Sequence, residues 1–318
     1  MKFLITGGAG FIGSHLTDFL LSCGHQVTVF DNLSWGKKEF IFHNLNNPRF
    51  KFVQLDLLAY KKILENLDSS TDTVFHLSAN SDIMRGMDDP DIDFDNTLVA
   101  TFNLLKAMKE KKVKKIFFTS GSGVYGNIGT KFAKENYGPL LPVSLYGATK
   151  LSAEALIASF VNLYDFQAWI VRPANIVGTR ATHGVILDFI RQLQKHSTRL
   201  RILGDGKQYK SYLFIDDVLE AFYLIWQKGR EKINLYNLSS ESFIEVDTIA
   251  KIVISEMGLK KVKIIKTGGK GGWKGDVPII KLNSSKIRKL GWKPKFNSDQ
   301  AVRKTIKLLL IDAETSSA

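Results

Sequence analysis

The 318-residue sequence predicts an α/β fold with a doubly wound parallel sheet and a smaller C-terminal lobe. Short apolar segments rich in β-branched and aromatic residues alternate with helical stretches through the first half of the chain, which indicates βαβ units. A glycine-rich segment follows the first of these strands. Chains longer than roughly 250 to 300 residues also tend to divide into domains, so a second lobe is expected.

Six segments predict the strands of the sheet: KFLIT, QVTVFD, FKFVQLD, TVFHLS, KKIFFTS and QAWIVRP. A helix is predicted between the first two, from about Phe11 to Cys23. Apolar spacing near 3.6 residues predicts two long helices, over Leu98–Lys109 and Leu151–Tyr164. Since parallel strands are joined by right-handed crossovers, these elements favour the doubly wound arrangement.

Gly8, Gly10 and Gly13 form the pattern G-x-G-x-x-G directly after the first strand and at the start of the first helix. This context is typical of a Rossmann-like dinucleotide-binding domain, because a Cβ atom there obstructs the tight turn or the approach of a pyrophosphate. Asp31 ends the next strand, where an acid accepts hydrogen bonds from a ribose 2′-hydroxyl and repels a 2′-phosphate. The sequence therefore predicts NAD rather than NADP.

The regular alternation ends after Pro173. We expect residues 1–174 to form the NAD-binding Rossmann domain, with residues 209–240, which contain YLFIDDVLEAFYLIW, returning to it. Residues 175–208 and 241–318 mix short helices with glycine-rich loops such as TGGKGGWKGD. We expect these residues to form mainly a substrate-binding lobe.

The composition, with 44% hydrophobic and 24% charged residues, is that of a soluble globular protein. The net charge of +13 comes from dispersed lysines without a recognised nucleic-acid module, so no nucleic-acid partner is predicted. A basic cleft would instead attract a phosphorylated substrate. No apolar run reaches the roughly 18 residues of a membrane span, so no membrane partner is predicted.

The segment MKFLITGG is too short and too rich in glycine for a signal-peptide core. Cys23 is the single cysteine and cannot form an internal disulfide. Both observations favour a cytoplasmic protein.

Tyr146 and Lys150 lie four residues apart in YGATK, which places them on one face of a helix. An ammonium group near a phenol typically lowers its pKa by about 1 to 3 units. We therefore expect Tyr146 to act as a base near neutral pH, with Lys150 lowering its pKa. A bare Y-x-x-x-K also occurs as an ordinary surface pair, but its position after KKIFFTS and before a helix favours the catalytic interpretation.

This order of motifs resembles the extended short-chain dehydrogenase/reductase family, in its NAD-dependent nucleotide-sugar epimerase/dehydratase branch, typified by UDP-glucose 4-epimerase. The resemblance covers nearly the whole chain. It is carried by TGGAGFIGSH, VFDNLS, VQLDL, HLSAN, DNTLVATFNLL with Asn96, SGSGVYG, SLYGATK, RPANIVG at Arg172, YLFIDDV and LGWKP.

By position, the resemblance implies that Gly7, Gly10, Phe11 and Ile12 line the pyrophosphate, that Asp31 and Asn32 bind the adenosine ribose, and that Asp56 and Leu57 bind the adenine. It places Leu77, Ala79, Asn96, Tyr146, Lys150 and Pro173 among the other cofactor residues, most of them around the nicotinamide half. Asn175 is expected to approach the phosphate of a sugar nucleotide. His76 ends a buried strand and is expected to be structural.

The chain departs from the family pattern at Gly121, where relatives usually carry a Ser or Thr that binds the reacting sugar oxygen. Ser122 or Ser120 could supply that hydroxyl, or neither does, because neighbouring strand residues point to opposite faces. In the second lobe, Lys210 and Trp273 replace two arginines of the family. Trp273 either stacks on a base or sugar or fills the core, and Lys274, Lys270 and Arg180 are candidates to restore the missing charge.

The resemblance implies epimerisation of a nucleotide-diphosphate sugar at C4 through a 4-keto intermediate, with no metal ion. The turn Gly121–Gly123 offers no acid, which argues against a 4,6-dehydratase, although another loop could contribute one. A dehydratase or reductase is the alternative enzyme, and a non-catalytic dinucleotide-binding regulator is the alternative from another class. The two long helices are expected to pair across a two-fold axis in a homodimer.

Overall fold

The first strand forms because KFLIT is apolar and rich in β-forming residues, and four of its five residues are buried. The computed structural model describes residues 1–315, with side chains described to residue 312. This part of the chain folds into two compact units.

The elements are numbered in chain order. The strands are β1 (Lys2–Thr6), β2 (Gln26–Asp31), β3 (Phe50–Gln54), β4 (Thr73–His76), β5 (Lys115–Thr119), β6 (Phe132–Ala133), β7 (Gln167–Pro173), β8 (Asn175–Val177), β9 (Arg199–Ile202), β10 (Tyr209–Lys210), β11 (Tyr212–Phe214), β12 (Ile233–Leu238), β13 (Ile244–Glu245), β14 (Lys263–Lys266) and β15 (Lys281–Leu282).

The helices are α1 (Phe11–Ser22), α2 (Tyr60–Asn66), α3 (Arg85–Asp88), α4 (Pro90–Asp93), α5 (Ala100–Glu110), α6 (Leu145–Tyr164), α7 (Val185–Lys195), α8 (Ile215–Lys228), α9 (Val246–Glu256), α10 (Ser285–Arg288) and α11 (Ser298–Thr315). A π-helical turn, Phe94–Val99, joins α4 to α5. Short 3₁₀ turns occupy Lys38–Phe40, Phe42–Asn44 and Ser122–Tyr125.

The first unit comprises Met1–Val124, Ser144–Arg172 and Phe222–Tyr236. It is built on a seven-stranded sheet in the order β12-β7-β5-β4-β1-β2-β3. The pairs from β3 across to β7 are parallel. The strand order reverses at β1, so the predicted doubly wound parallel sheet is confirmed.

Both faces of this sheet are covered, as its two-residue periodicity requires. On one face, Leu4, Val74 and Phe118 pack in a core that includes residues of α2, α5 and α6. On the other face, the rings of Phe3, Phe75 and Phe117 pack in series, and the ring of Phe222 on α8 packs against Phe117 with centroids 4.9 Å apart. The sheet therefore holds the ends of its strands on a rigid frame.

The second unit comprises Tyr125–Val143, Pro173–Ala221 and the described residues from Asn237 onward. It contains short two-stranded pairings, including β9 with β14 and β10 with β13. Helix α11 begins at Ser298, whose hydroxyl donates to the carbonyl of Ser242 at 2.7 Å. The indole of Trp292 donates to the carbonyl of Asp217 at 3.0 Å.

Residues 125–143, 173–174, 209–221 and 237–240 belong to the second unit, whereas the sequence places them in the first. Backbone pairing gives the reason, because β6 pairs with β15 and β11 pairs with β8. The assignment of substrate binding to the second unit stays a prediction. Residues 316–318 of the predicted lobe 241–318 lie outside the described residues.

Candidate active site

The glycine-rich loop after β1 is closed too tightly for side chains. A Cβ atom on Gly13 would lie 2.1 Å from the carbonyl oxygen of Gly7, and Gly7 itself has a φ of +71°. Gly10 caps α1, and having no side chain it leaves the first backbone amides of the helix uncapped. This loop fits the pyrophosphate of a dinucleotide, which binds to such amides.

Asp31 organises the neighbouring loop at the carboxyl end of β2. Its two carboxylate oxygens accept hydrogen bonds from the amides of Ala9, at 3.0 Å, and Leu33, at 2.8 Å. Burial raises the pKa of Asp31, and these two backbone bonds oppose the rise. The side-chain amide of Asn32 donates to the carboxylate of Asp56 at 2.9 Å. Three residues that are predicted to bind adenosine, Asp31, Asn32 and Asp56, therefore lie together.

The other predicted cofactor residues of the first unit lie along the carboxyl end of its sheet or beside it. Leu77 and Ala79 follow β4, Leu57 is buried after β3, and Phe11 and Ile12 open α1. Asn96 lies in the π-helical turn, where its side chain donates to the carbonyl of Ile92 at 2.9 Å. Pro173, which belongs to the second unit, is buried at the end of β7. Their contacts with NAD stay predictions.

Tyr146 and Lys150 lie in the first two turns of α6. The helix begins there because the hydroxyl of Ser144 accepts a bond from the amide of Gly147 at 3.1 Å. The ammonium of Lys150 donates to the carbonyl of Thr119, at the end of β5, at 2.7 Å. It lies 5.7 Å from the centroid of the Tyr146 ring. The predicted pair therefore shares one face of the helix beside β5.

Burial changes the protonation of this pair. Burial raises the pKa of Tyr146 to about 12, and the charge of Asp93 adds to the rise. Burial lowers the pKa of Lys150 to about 7, against the opposing effects of Glu154 and Asp93. Without NAD, burial is the largest effect on the Tyr146 pKa and raises it. The predicted lowering of that pKa by Lys150 stays a prediction.

The segment after β5 presents glycines to Tyr146. A Cβ atom on Gly121 would lie 3.6 Å from the Tyr146 hydroxyl, and one on Gly123 would lie 3.9 Å from Cδ1 of its ring. Ser120 alternates with these positions, is buried, and its hydroxyl finds no hydrogen-bond partner within residues 1–315. Ser122 is half-buried. Whether Ser122, Ser120 or neither replaces the missing hydroxyl stays a prediction.

Asp93, a residue that the sequence did not single out, is fully buried beside this pair. Its Oδ1 accepts a bond from the Asn80 side chain at 2.9 Å. The available signal was its spacing, because Asp93, Thr97 and Thr101 recur every four residues on a buried face.

Arg172 and Glu154 form a second buried pair in the first unit. Nε of Arg172 donates to Oε1 of Glu154 at 2.9 Å and its Nη2 donates to Oε2 at 2.6 Å. The carboxylate of Glu154, one turn after Lys150 on α6, is thereby held by a bidentate contact.

His76 is structural, as expected. It has no exposed surface, and its two ring nitrogens contact the hydroxyls of Thr6, at 2.6 Å, and Thr101, at 2.9 Å. Burial lowers its pKa to about 3, and Lys150 contributes. The imidazole is therefore neutral at physiological pH.

In the second unit, two of the predicted substrate residues lie together. Lys210 forms a 2.7 Å ion pair with Asp276 and lies 5.6 Å from the centroid of the Trp273 indole. The indole nitrogen of Trp273 is buried without a partner among the described side chains and backbone. The charge of Lys210 is thus already balanced, a feature that the sequence did not predict.

The remaining substrate candidates are more dispersed. Asn175 lies in β8 and its side chain donates to the carbonyl of Ser211 at 3.3 Å. Arg180 follows β8 with a φ of +59°, and Lys270 and Lys274 are exposed. Their roles stay predictions.

Residues 3–239 match the model of the NAD dependent epimerase/dehydratase family. The chain belongs to this family.

A UDP-glucose 4-epimerase of Mycolicibacterium smegmatis is 31% identical, over 96% of this chain and 97% of that protein. Among solved structures, a UDP-galactose 4-epimerase is 35% identical with a TM-score of 0.88, over 98% of this chain and 99% of that one. A dTDP-glucose 4,6-dehydratase from Streptomyces venezuelae, with NAD and TYD bound, is 25% identical with a TM-score of 0.89, over 96% of each chain.

Membership of the NAD dependent epimerase/dehydratase family confirms the predicted family, the Rossmann-like fold, the enzymatic class and the cofactor NAD. Within residues 1–315, no helix is long and apolar enough to cross a membrane. The described side chains also contain no group of three His, Cys, Asp or Glu residues arranged for a metal ion.

Proposed function

We propose that the protein epimerises a nucleotide-diphosphate sugar at C4, through a 4-keto intermediate, as a UDP-glucose/UDP-galactose-type 4-epimerase. The observation that carries this proposal is the Tyr146–Lys150 pair on α6 beside a β5 turn that holds no acid. The relatives named as UDP-sugar 4-epimerases, which match over nearly the whole chain, support it.

The roles of the residues follow from their chemistry. NAD, when bound, supplies the hydride chemistry, held by the glycine loop, Asp31 and the residues along the carboxyl end of the sheet. Tyr146 exchanges a proton with the hydroxyl on the reacting carbon. Lys150, anchored on the carbonyl of Thr119, presents a positive charge that stabilises the phenolate form of Tyr146.

The test is to incubate the purified protein with NAD and separate UDP-, GDP-, CDP- and dTDP-sugars, and to follow the products by NMR and mass spectrometry. A C4 epimer of unchanged mass supports the proposal. A product lighter by one water contradicts it, and so does the absence of turnover with every sugar.

A dehydratase is kept as a second candidate because of Asp93. Its carboxylate lies near Tyr146 and could serve as the additional acid that water loss requires. However, its Oδ1 is bonded to Asn80 and the whole side chain is buried, which leaves it poorly placed to reach a substrate. Epimerisation therefore stays the preferred function.

We also propose that the protein is a homodimer that pairs through α5 and α6. A groove of about 470 Å³ runs between these helices, and it is lined mainly by apolar side chains: Phe94, Leu98, Val99, Phe102, Ala155 and Leu156. Phe94 and Phe102 are 50% and 43% exposed. A second copy related by a two-fold axis would cover the same patch on both chains.

Sedimentation velocity at micromolar concentration tests the dimer. A dimer that becomes monomeric in Phe102→Lys, but not in Phe42→Lys, a matched change at an exposed phenylalanine elsewhere, supports the proposal. A wild-type monomer contradicts it.

The cytoplasm stays the predicted compartment, on the ground of the single cysteine.

A further inference from the structure

Asp93 has an unusual environment for a carboxylate. It is fully buried, and its Oδ1 accepts the bond from Asn80. Its Oδ2 accepts no hydrogen bond from the described part of the chain. Gly86 is packed against that oxygen so closely that a Cβ atom there would lie 2.0 Å from it. A buried carboxylate with an unsatisfied oxygen is costly, so its charge needs a compensating group.

Helix α4, which ends at Asp93, packs against α6, and Asp93 interacts electrostatically with both Tyr146 and Lys150. Glu154 also acts on Lys150, but its two oxygens are occupied by Arg172. Asp93 is thus the carboxylate beside Lys150 whose second oxygen has no partner among residues 1–315.

The charged groups around Asp93 come from several elements. Asp82, before α3, raises the pKa of Asp93, whereas Lys150 and the bond from Asn80 lower it; burial is the largest effect and raises it. The elements that pack against α4 carry these titratable or charged groups: Arg85 and Asp88 on α3, Asp95 in the π-helical turn, and Tyr146, Lys150 and Glu154 on α6.

We propose that Asp93 is a positioning residue that keeps protons on both Tyr146 and Lys150, and so sets the pH range in which the pair works. A negative charge stabilises an ammonium ion and destabilises a phenolate, so it favours the protonated form of each group. The proposal rests on the proposed function, since it takes this pair as the catalytic one.

The pKa shifts of the pair have the directions that this proposal requires. Burial raises the pKa of Tyr146, and Asp93 raises it further. Burial lowers the pKa of Lys150, and Asp93, with Glu154, opposes that fall. Removing the charge of Asp93 should therefore move both titrations to lower pH, whereas a merely structural role predicts no common shift.

The experiment compares wild type with Asp93→Asn, which keeps the shape of the side chain and removes its charge. The signals of Tyr146 and Lys150 are titrated by NMR in protein carrying ¹³C-tyrosine and ¹³C-lysine, and they are assigned from their absence in Tyr146→Phe and Lys150→Met. We expect both pKa values to fall by about one unit or more. Both limbs of the kcat profile against pH should move the same way. Asp91→Asn, a change at an exposed residue of the same helix, should leave both pKa values and the kcat profile unchanged.

Unchanged titrations in Asp93→Asn overturn the proposal, and so does loss of turnover without a shift, because Asp93 would then act on the substrate itself. The titration needs no substrate, so it decides the proposal even if no sugar is epimerised. If Asp93→Asn does not fold, wild type still gives an answer. The Lys150 signal must then show a second inflection at the pH where Asp93 ionises, and its absence refutes the proposal.

Discussion

Gly121 faces the phenol of Tyr146: a Cβ atom on residue 121 would lie 3.6 Å from the Tyr146 hydroxyl, at ordinary contact distance. The site therefore has room for the hydroxyl side chain that the resemblance leads one to expect there. We predict that Gly121→Ser increases kcat by about tenfold, equivalent to one added hydrogen bond of about 1.4 kcal/mol in the transition state.

Gly121→Ala is the matched control for that prediction, since it fills the same space without a hydroxyl. Steady-state kinetics with the active nucleotide sugar compares the three proteins. If the alanine and serine variants are equally fast, the added hydroxyl does not reach the reacting oxygen.

Tyr146→Phe should lower kcat by about 10²- to 10⁴-fold, because the proton-exchanging hydroxyl is lost. NAD content, measured by absorbance after the protein is denatured, should be unchanged, since the ring remains. Tyr60→Phe is the control. The Tyr60 hydroxyl on α2 bonds to Glu110 on α5, and neither residue belongs to α6, which carries Tyr146 and Lys150. Retention of full activity in Tyr146→Phe would remove the residue from the mechanism.

Lys150→Met should be more stable than wild type at neutral pH although it is inactive. Burial lowers the pKa of Lys150 from 10.5 to about 7, so the buried ammonium opposes folding most strongly at or below pH 7. We expect the free energy of unfolding to rise by about 2 to 4 kcal/mol at pH 7, less than the shift alone implies because the carbonyl of Thr119 loses its donor.

The sign of this effect can be checked with urea unfolding at pH 6 and pH 9. Above pH 7 the folded wild type loses the charge while the unfolded chain keeps it until about pH 10.5, so wild type recovers stability as the pH rises. The advantage of Lys150→Met must therefore shrink between the two pH values. An advantage that grows with pH would contradict the assigned direction.

Arg172→Met should destabilise the fold by about 3 to 5 kcal/mol, because it leaves the carboxylate of Glu154 buried without its guanidinium. The double variant Arg172→Met/Glu154→Leu should regain most of that loss, since it removes both charges. Urea unfolding of the single and double variants measures the difference. Equal losses in the two would show that the guanidinium matters for another contact.

The sequence was sufficient to predict β1 to β5 and β7, because each contains a run of apolar, β-branched or aromatic residues. It did not single out β12, because Asn234 and Asn237 interrupt the apolar residues of INLYNL. Tyr146 and Lys150 were predictable because four-residue spacing fixes their common face. Their pKa values were not, because these depend on burial, which is set by distant segments.

Asp93 shows the same limit. It is one of five aspartates from Asp88 to Asp95. Its four-residue spacing from Thr97 and Thr101 distinguishes it, but that spacing alone does not reveal that it is buried. Its burial depends on the contact of α4 with α6 and on the bond from Asn80, both of which arise only in the folded chain.

The π-helical turn Phe94–Val99, which has more residues per turn than an α-helix, connects Asp93 to α5. In an ordinary helix each residue advances the side chains by about 100°. Deleting one residue from this turn would therefore swing the carboxylate away from α6 while α5 kept its own contacts. The position of the Asp93 charge beside Tyr146 and Lys150 thus depends on the number of residues in this turn. Insertions and deletions there, and not only substitutions, can therefore change the electrostatic environment of the pair.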